Sequence, residues 1–296
     1  MTGPGGLLVV GDVVTDVIAR HHKPLAAATD TPARIRTLPG GAGANVACWA
    51  ARSGRADVRL LGRVGADSAS WHERELRRAG VRPLLALDPD APTAAVIALV
   101  GPDAERTFLT DSGASLRLAP EDWSPALLDG IARVHLSGYL FFAGPSRETA
   151  GRVLRDARAA GVPVSVDPAS AGFLTELGTE RFLGAVEGAE CLLPNLDEAR
   201  LLTGRTNPDE AAEALGRRFP LVAVTLGGAG AVLAEEGRVT ARVTAPPVRA
   251  VDSTGAGDAF TGAFLAALLT GATPVAAAGA GCRAGAEAVT RVGGRP

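Results

Sequence analysis

A turn of small residues flanked by two carboxylates, Asp252 and Asp258, is the strongest chemical signal in the sequence. Apolar residues recur at helical spacing from Phe260 to Leu268, so the turn is predicted to lie at a helix N-terminus. The first N–H groups of a helix lack partners and carry the positive end of its dipole, which favours a bound anion. A carboxylate there repels phosphate unless it has a chemical task. Asp258 is therefore a candidate general base for phosphoryl transfer, and the alternative is a simple helix cap.

Residues 252–262 resemble the C-terminal signature of the ribokinase-like (PfkB) carbohydrate kinases, which is close to D-T-x-G-A-G-D-x-F-x-G. Residues 40–47 resemble that family's G-G-x-x-x-N-x-A motif, and the resemblance extends from residue 9 to residue 296. It implies ATP-dependent, Mg²⁺-assisted phosphotransfer to a hydroxyl group of a small sugar or sugar derivative. It also implies that Asp258 is the general base, while the N–H groups of Gly255, Ala256 and Gly257 stabilise the transferred group.

Polar residues after the first predicted strand form the expected acceptor side. Ligands of open α/β sheets bind at the carboxyl ends of the strands, where carboxylates, amides and exposed backbone can bond sugar hydroxyls. The alternative for such residues is ordinary turn chemistry. The resemblance assigns sugar binding to Asp12, Asp16, Gly40, Gly41 and Asn45.

The acceptor side departs from ribokinase itself at two positions. Val14 stands where that enzyme has an amide side chain and Ala42 where it has a lysine, which favours a bulkier or less polar furanoside over free ribose. Residues 105–110 resemble lid sequences of the family, so Arg106 is either a substrate or phosphate contact or an exposed strand residue. Residues 166–170 lack the D-x-N-x-R pattern of fructokinases and ketodeoxygluconate kinases.

The donor side is expected in two later segments. Asn195 and Glu198 match the family's N-x-x-E motif, which orders Mg²⁺ and its waters, and the same pair is also an ordinary helix capping box. Thr225, Gly227 and Gly230 match a T-x-G-x-x-G segment that contacts the nucleotide. A glycine-rich hairpin turn would look the same.

A monovalent cation is a further candidate cofactor. Asp252 and Thr254 match positions that hold such a cation beside the anion site in many members of the family. Thr254 is also expected to bind the nucleotide. Residues 289–293 resemble the segment that supplies further carbonyl ligands. The resemblance therefore admits K⁺ in addition to ATP and Mg²⁺.

Strand and helix patterns alternate along most of the chain, which predicts a mostly parallel sheet with helices on both faces. The expected strands lie at 7–10, 58–61, 134–136, 162–166, 191–193 and 221–226, and the expected helices at 45–53, 68–79, 146–159, 173–187, 195–203 and 208–217. The fold class is thus α/β, and the resemblance implies a ribokinase-like three-layer α/β/α sandwich. We expect a single domain over 1–296, with a small β-sheet lid from about 13–38 and 93–110. In the resembled family this lid covers the sugar and is often the dimer interface.

Composition excludes several other classes of protein. The net charge of −2 does not favour nucleic acid or an anionic membrane, and Lys23 is the only lysine, which argues against a lysine phosphate clamp. Three separated cysteines and no visible signal peptide suit a reducing cytoplasm. Residues 259–282 carry no charge, but glycines and Pro274 favour two buried helices over a membrane span.

Two alternative functions remain open from the sequence. The acceptor could be a nucleoside of the adenosine or pseudouridine type, which an aromatic wall would favour and an aromatic content of 4% opposes. In another class, the chain could be a catalytically weak sugar or nucleotide sensor. A sensor is disfavoured by the presence of Asp258 together with Asn195 and Glu198, because a protein that only binds its ligand needs no general base.

Overall fold

The computed structural model describes residues 5–52, 57–101 and 106–296, apart from the side chain of Arg106. The strands are, in chain order, β1 (Gly6–Val10), β2 (Val14–His21), β3 (Ala33–Gly40), β4 (Val58–Gly65), β5 (Val81–Asp88), β6 (Ala94–Val100), β7 (Arg106–Asp111), β8 (Ile131–Ser137), β9 (Val164–Asp167), β10 (Cys191–Leu192), β11 (Leu221–Thr225), β12 (Ala231–Glu235) and β13 (Arg238–Val243). The helices are α1 (Ala42–Ala51), α2 (Ala69–Arg78), α3 (Gly144–Ala159), α4 (Ala171–Leu177), α5 (Thr179–Ala185), α6 (Leu196–Thr203), α7 (Pro208–Gly216), α8 (Ala256–Leu269) and α9 (Pro274–Ala288).

The large sheet has the strand order β13-β12-β11-β10-β9-β8-β1-β4-β5 within the described ranges. Neighbouring strands from β11 to β5 are parallel, while β12 and β13 add an antiparallel edge. A continuous apolar run such as that of β1, all of it buried, is typical of a strand covered on both faces. The predicted α/β class with a mostly parallel sheet is confirmed.

Helices cover both faces of this sheet and give it two apolar layers. One layer packs α3 to α7 against the sheet, with large buried side chains such as Phe141, Phe182 and Phe219. The other layer packs α1, α2, α8 and α9 against the opposite face, around Phe260 and Phe264. Since the second layer carries the two glycine-rich motifs, packing on this face positions them at the edge of the sheet.

The small sheet contains four strands among the described residues, in the order β3-β2-β6-β7. These strands lie where the sequence predicted the lid. Pro39 lies inside β3, opposite Thr15 of β2. Because β3 is an edge strand, one of its sides has no partner strand. A proline can lie there without the loss of an interstrand hydrogen bond on that side.

Three local predictions were incomplete. Strands β5, β12 and β13 were not among the expected strands. Helix α1 begins at Ala42, so Asn45 lies in its first turn and its N–H donates to the Gly41 carbonyl. The helix expected over 173–187 is divided into α4 and α5 at Gly178, whose φ of 90° is incompatible with a continuing helix. The missed strands lie at the two edges of the large sheet, so the mostly parallel centre of the sheet is as predicted.

The uncharged stretch over 259–282 forms most of α8 and α9, joined by a turn at Gly271, as predicted. Among the described parts of the chain, no helix combines the length and the apolar character that a bilayer crossing requires.

Close packing between α1 and α8 depends on Gly262. A Cβ atom placed there would lie 2.5 Å from the Val46 carbonyl oxygen and 2.7 Å from the Trp49 Cβ. Both neighbours belong to a buried helix and cannot move without shifting its backbone. The glycine therefore sets the distance between the helices that carry the two sequence motifs.

We expect Gly262→Ala to lower the free energy of unfolding by about 1–3 kcal/mol, because overpacking outweighs the higher helix propensity of alanine. Equilibrium urea unfolding measures the change. Gly151→Ala in α3 is the matched control, since its Cβ would meet only the flexible end of Arg155, and it should gain up to about 1 kcal/mol. Equal stability of both variants would contradict this packing argument.

Candidate active site

A cleft of about 610 Å³ lies at the carboxyl edge of the large sheet, with the small sheet over it. Most residues that the sequence singled out line this cleft, although they come from distant parts of the chain. Those residues are Asp12, Asp16, Gly41, Asn45, Asn195, Glu198, Thr225, Thr254, Gly255, Ala256, Gly257 and Asp258. The fold therefore brings the expected acceptor and donor sides into one site.

Some predicted residues lie beside the cleft instead of lining it. Gly40 ends β3 behind the cleft wall, Asp252 is buried behind the turn that precedes α8, and Gly227 and Gly230 form the turn after β11. The side chain of Arg106 lies outside the described residues, so its predicted contact stays a prediction.

Asp258 occupies the first turn of α8 at the cleft wall, where the Asn45 side chain holds it. The Asn45 Nδ2 atom donates to the Asp258 Oδ2 atom over 2.8 Å. Burial raises the pKa of Asp258 well above its usual value, the Asn45 hydrogen bond opposes this, and the charges of Asp167, Asp12 and Asp16 raise it further. A carboxyl group of raised basicity, held in one orientation, suits proton abstraction.

The N-terminus of α8 presents backbone at the cleft beside Asp258. Gly255 caps the helix in a left-handed conformation with φ 74°, and Gly294 lies so close that a Cβ on Gly255 would collide with it. Only glycine meets both requirements without strain. The N–H groups of Ala256 and Gly257 start the helix, where no intrahelical acceptor exists for them, and Ala256 makes only a long bond of 3.4 Å to the Ser253 carbonyl, so this wall suits an anion.

The N-terminus of α1 also reaches the cleft, but Asp12 already occupies it. The two Asp12 carboxylate oxygens accept from the backbone N–H groups of Ala42 and Gly43 over 2.7 and 3.1 Å, and from the Ser137 hydroxyl over 2.9 Å. Asp12 is 7% exposed. These contacts anchor α1 to β1 and β8, which supports the turn-chemistry reading of Asp12 more than its predicted sugar contact.

Asp16 lies on the underside of the small sheet, facing the cleft. It pairs with Val96 across β2 and β6, and Val96 pairs with Thr110, so one row of side chains lines the cleft. The Asp16 carboxylate packs directly against Gly40. Burial raises the pKa of Asp16 to about 6, while the positive charge of Arg295 lowers it.

The donor side is built around the start of α6. Asn195 and Glu198 form the predicted capping box, with the Asn195 side chain accepting from the Glu198 N–H and the Glu198 side chain accepting from the Asn195 N–H, both over 2.9 Å. Glu198 is only 2% exposed. Burial, and next the charge of Asp167, raise the pKa of Glu198 to about 8.

Asp167 is a cleft residue that the sequence analysis did not single out. It ends β9, accepts from the Thr261 hydroxyl over 3.3 Å, and burial raises its pKa to about 6. Its position at the end of a strand, like that of Asp12 beyond β1, was the signal that could have identified it. Two mutually repelling carboxylates, Asp167 and Glu198, suit a divalent cation that takes few protein ligands and several waters.

An aromatic wall, which we define as Tyr139, Phe142 and Phe173, lines another side of the cleft. The Phe142 and Phe173 rings are stacked with centroids 4.9 Å apart, and Tyr139 meets Phe173 edge-on at 5.7 Å. These residues lie in the turn after β8 and in α4, and no periodic pattern marked them in the sequence. The low overall aromatic content therefore gave a misleading view of the site.

Asp252 connects the turn before α8 to the end of the chain. One of its oxygens accepts from the Thr254 N–H over 2.9 Å and the other from the Gly293 N–H over 3.2 Å. The Val289 carbonyl accepts from the N–H groups of both Val251 and Asp252. The predicted cation-binding segments therefore do lie together, with Asp252 stabilising the turn that carries the anion site.

The raised pKa of Glu198 predicts a pH dependence of stability. A carboxyl group whose pKa rises on folding, here from 4.5 to about 8, makes the folded state bind more protons than the unfolded state between those values. The free energy of unfolding of the metal-free protein should therefore fall as the pH rises through this window. Glu198→Gln should reduce this fall by up to about 1 kcal/mol per pH unit.

Urea unfolding in the presence of a chelator, at several pH values, measures that slope. Glu176→Gln, which changes an exposed carboxylate of α4, is the matched control and should leave the slope as in the wild type. An unchanged slope in Glu198→Gln would contradict the raised pKa.

Comparison with known proteins agrees with this geometry. Residues 6–296 match the pfkB family of carbohydrate kinases. The chain is 32% identical over 280 residues to a fructokinase of Klebsiella pneumoniae (91% of this chain, 86% of the relative). It is 32% identical over 272 residues to an ATP-dependent ribose-1-phosphate kinase of Halopiger xanaduensis (89% and 85%).

A solved structure shows the same architecture. The ribokinase from Thermotoga maritima superimposes with a TM-score of 0.84 at 26% identity, covering 98% of this chain and 94% of that one. Because the family match spans nearly the whole chain and both signature motifs meet in one cleft, the chain belongs to the pfkB family of carbohydrate kinases.

Proposed function

We propose that this protein transfers the γ-phosphoryl group of ATP to a hydroxyl group of a small sugar or sugar derivative, with Asp258 as the general base. The observation that carries the proposal is the Asn45–Asp258 hydrogen bond at the N-terminus of α8. It places a basic carboxylate beside backbone N–H groups that suit a phosphoryl group. Membership of a carbohydrate kinase family, and a relative named as ATP-dependent, support the same reaction.

The donor side has groups suited to magnesium and a nucleotide. Glu198 and Asp167 are the residues that would hold Mg²⁺, partly through water, and Asn195, Thr225 and Thr254 line the wall where the nucleotide would bind. When bound, Mg²⁺ neutralises phosphate charge and would remove the electrostatic cause of the raised pKa values nearby. The repulsion between Glu198 and Asp167 is the observation that favours a cation here.

The acceptor side would orient one hydroxyl group toward Asp258. Asp16 can accept a hydrogen bond from a second hydroxyl group, and Gly41 exposes backbone to the cleft. As the acceptor oxygen bonds to phosphorus and the bond to the leaving oxygen breaks, Asp258 takes the hydroxyl proton. The N–H groups of Gly255, Ala256 and Gly257 stabilise charge on the transferred group, and the small sheet limits access of water.

Two finer parts of the proposal rest mainly on the family resemblance. One is a K⁺ ion near Asp252 and Thr254, beside the anion site. The other is a homodimer through the small sheet, whose outer face exposes Ile35, Ile97 and Leu109. Burial of these apolar side chains against a second copy would remove them from water.

Coupled ADP release with Mg-ATP and a panel of pentoses, ketohexoses and nucleosides tests the function. We expect turnover that depends on one class of acceptor. We further expect Asp258→Asn to lose at least about 100-fold in turnover while the KM for ATP stays near the wild-type value, because the base is lost and the nucleotide wall is intact.

Asp129→Asn, an exposed substitution of the same kind, is the control and should keep wild-type turnover. Near-normal turnover of Asp258→Asn would remove Asp258 from the role of base. Binding of ATP without turnover on any acceptor would favour the sensor reading instead.

A nucleoside acceptor is a second candidate because the aromatic wall could stack on its nucleobase. Phe142 and Phe173 present an ordered pair of rings in the same cleft as Asp16 and Asp258. Ring stacking contributes beyond simple burial. This observation offsets the low aromatic content that opposed a nucleoside at the sequence level.

If the acceptor is a nucleoside, Phe173→Ala should raise the KM for that nucleoside by about tenfold and leave the KM for ATP unchanged, since one face of the nucleobase loses its stacking partner. Steady-state kinetics with both substrates measures this. An equal rise in the KM of a free sugar would show that the aromatic wall shapes the cleft without recognising a base.

A further inference from the structure

The segment Gly293–Arg295 joins both sides of the cleft. The Gly293 N–H donates to Asp252, the Gly294 carbonyl accepts from the Trp49 indole over 2.9 Å, and the Arg295 Nη2 atom donates to the Gly40 carbonyl over 3.1 Å. Three consecutive residues thus bond to the turn before α8, to α1 and to β3. No motif in the sequence analysis assigned a role to Arg295.

The Arg295 guanidinium is enclosed by charged and polar groups from several elements. Asp16 of β2, Cys48 of α1 and Glu75 of α2 lie near enough to act on its charge, and it acts in turn on His72. Its Nε and Nη1 atoms are hidden from solvent and have no hydrogen-bond partner among the described atoms. A hidden guanidinium with unmatched N–H groups opposes folding, so stability alone does not account for it.

Gly40 lies between this guanidinium and Asp16. The Asp16 carboxylate packs against the Gly40 Cα side, while Arg295 bonds the Gly40 carbonyl. Within the described part of the chain, the charges of Arg295, Asp12 and Asp252 act on Asp16, and of these three Arg295 alone is positive. One residue therefore acts both on the backbone that ends β3 and on the carboxylate that faces the acceptor.

We propose that Arg295 is a positioning residue of the acceptor site, which holds the Gly40 backbone and places its positive charge across Gly40 from the Asp16 carboxylate that packs against it. The assignment rests on the proposed function, because Asp16 is there a contact of the acceptor. It requires that the acceptor side weakens when Arg295 is lost, while the donor side does not.

Steady-state kinetics of Arg295→Gln and Arg295→Lys test this. Arg295→Gln should raise the KM for the acceptor by about tenfold or more and leave the KM for ATP within about twofold, whereas Arg295→Lys, which keeps the charge, should recover part of the loss. Arg152→Gln is the matched control: it lies in α3 away from the cleft, is exposed and pairs with Glu148. Equal changes for both substrates, or equal loss in the Lys variant, would overturn the proposal.

A second measurement does not depend on turnover. In ¹³C NMR titration of the Asp16 carboxyl group, assigned with Asp16→Asn, Arg295→Gln should raise the pKa of Asp16 by about half a pH unit or more, and Arg295→Lys should not. An unchanged pKa in Arg295→Gln would overturn the assignment even if the protein folds normally. If the wild type turns over no acceptor, the proposed function fails, and this titration still decides the role of Arg295.

Discussion

Convergence of carboxylates in one cleft is the constraint on which the rest of the site depends. Asp12, Asp16, Asp167, Glu198 and Asp258 all line it. Burial, and next the charges of neighbouring carboxylates, raise the pKa values of Asp16, Asp167, Glu198 and Asp258. The structure offsets each charge differently: backbone N–H groups bind Asp12, the Asn45 amide binds Asp258, and Arg295 acts on Asp16. Glu198 accepts from the Asn195 N–H and Asp167 from the Ala169 N–H, yet the charge of Asp167 still raises the pKa of Glu198, which supports the proposed cation beside them.

The two helix N-termini at the cleft show how one physical effect serves two purposes. At α1 the positive end of the dipole is used within the protein, because Asp12 accepts from the first N–H groups and anchors the helix. At α8 the acidic residue lies inside the first turn and is turned toward Asn45, so the leading N–H groups face the cleft. The geometry therefore favours the proposed anion site at α8 over one at α1, although both helices follow a glycine motif.

Local chemistry was predictable from the sequence, whereas long-range chemistry was not. The capping box of Asn195 and Glu198 and the helix start before Asp258 follow from residues a few positions apart. The end of a strand marks Asp167 locally, but its contact with the Thr261 hydroxyl joins residues 94 positions apart. The aromatic wall likewise joins two elements that share no sequence pattern. Arg295 bonds a carbonyl 255 residues distant, a contact that depends on tertiary packing alone. The alternation of strand and helix patterns was enough to predict the fold class. A strand that is buried on both faces is a continuous apolar run, so it can be recognised from its own residues.

Close contact between backbone segments fixes the spacing between α1, the N-terminus of α8 and residues 293–295 without long side chains. Gly294 lies against Gly255 on one side and against the Asn45 amide on the other, so a Cβ at Gly294 would displace the group that holds Asp258. The Gly294 carbonyl is fixed by the Trp49 indole, and Trp49 belongs to the helix that carries Asn45. The same close contacts of Gly294 therefore determine the orientation of Asp258, the shape of the turn before α8 and the position of residues 293–295. A substitution that shifts Gly294 would therefore move the Asn45 amide and the N-terminus of α8 together, whereas a change confined to the Arg295 guanidinium leaves both of these contacts in place.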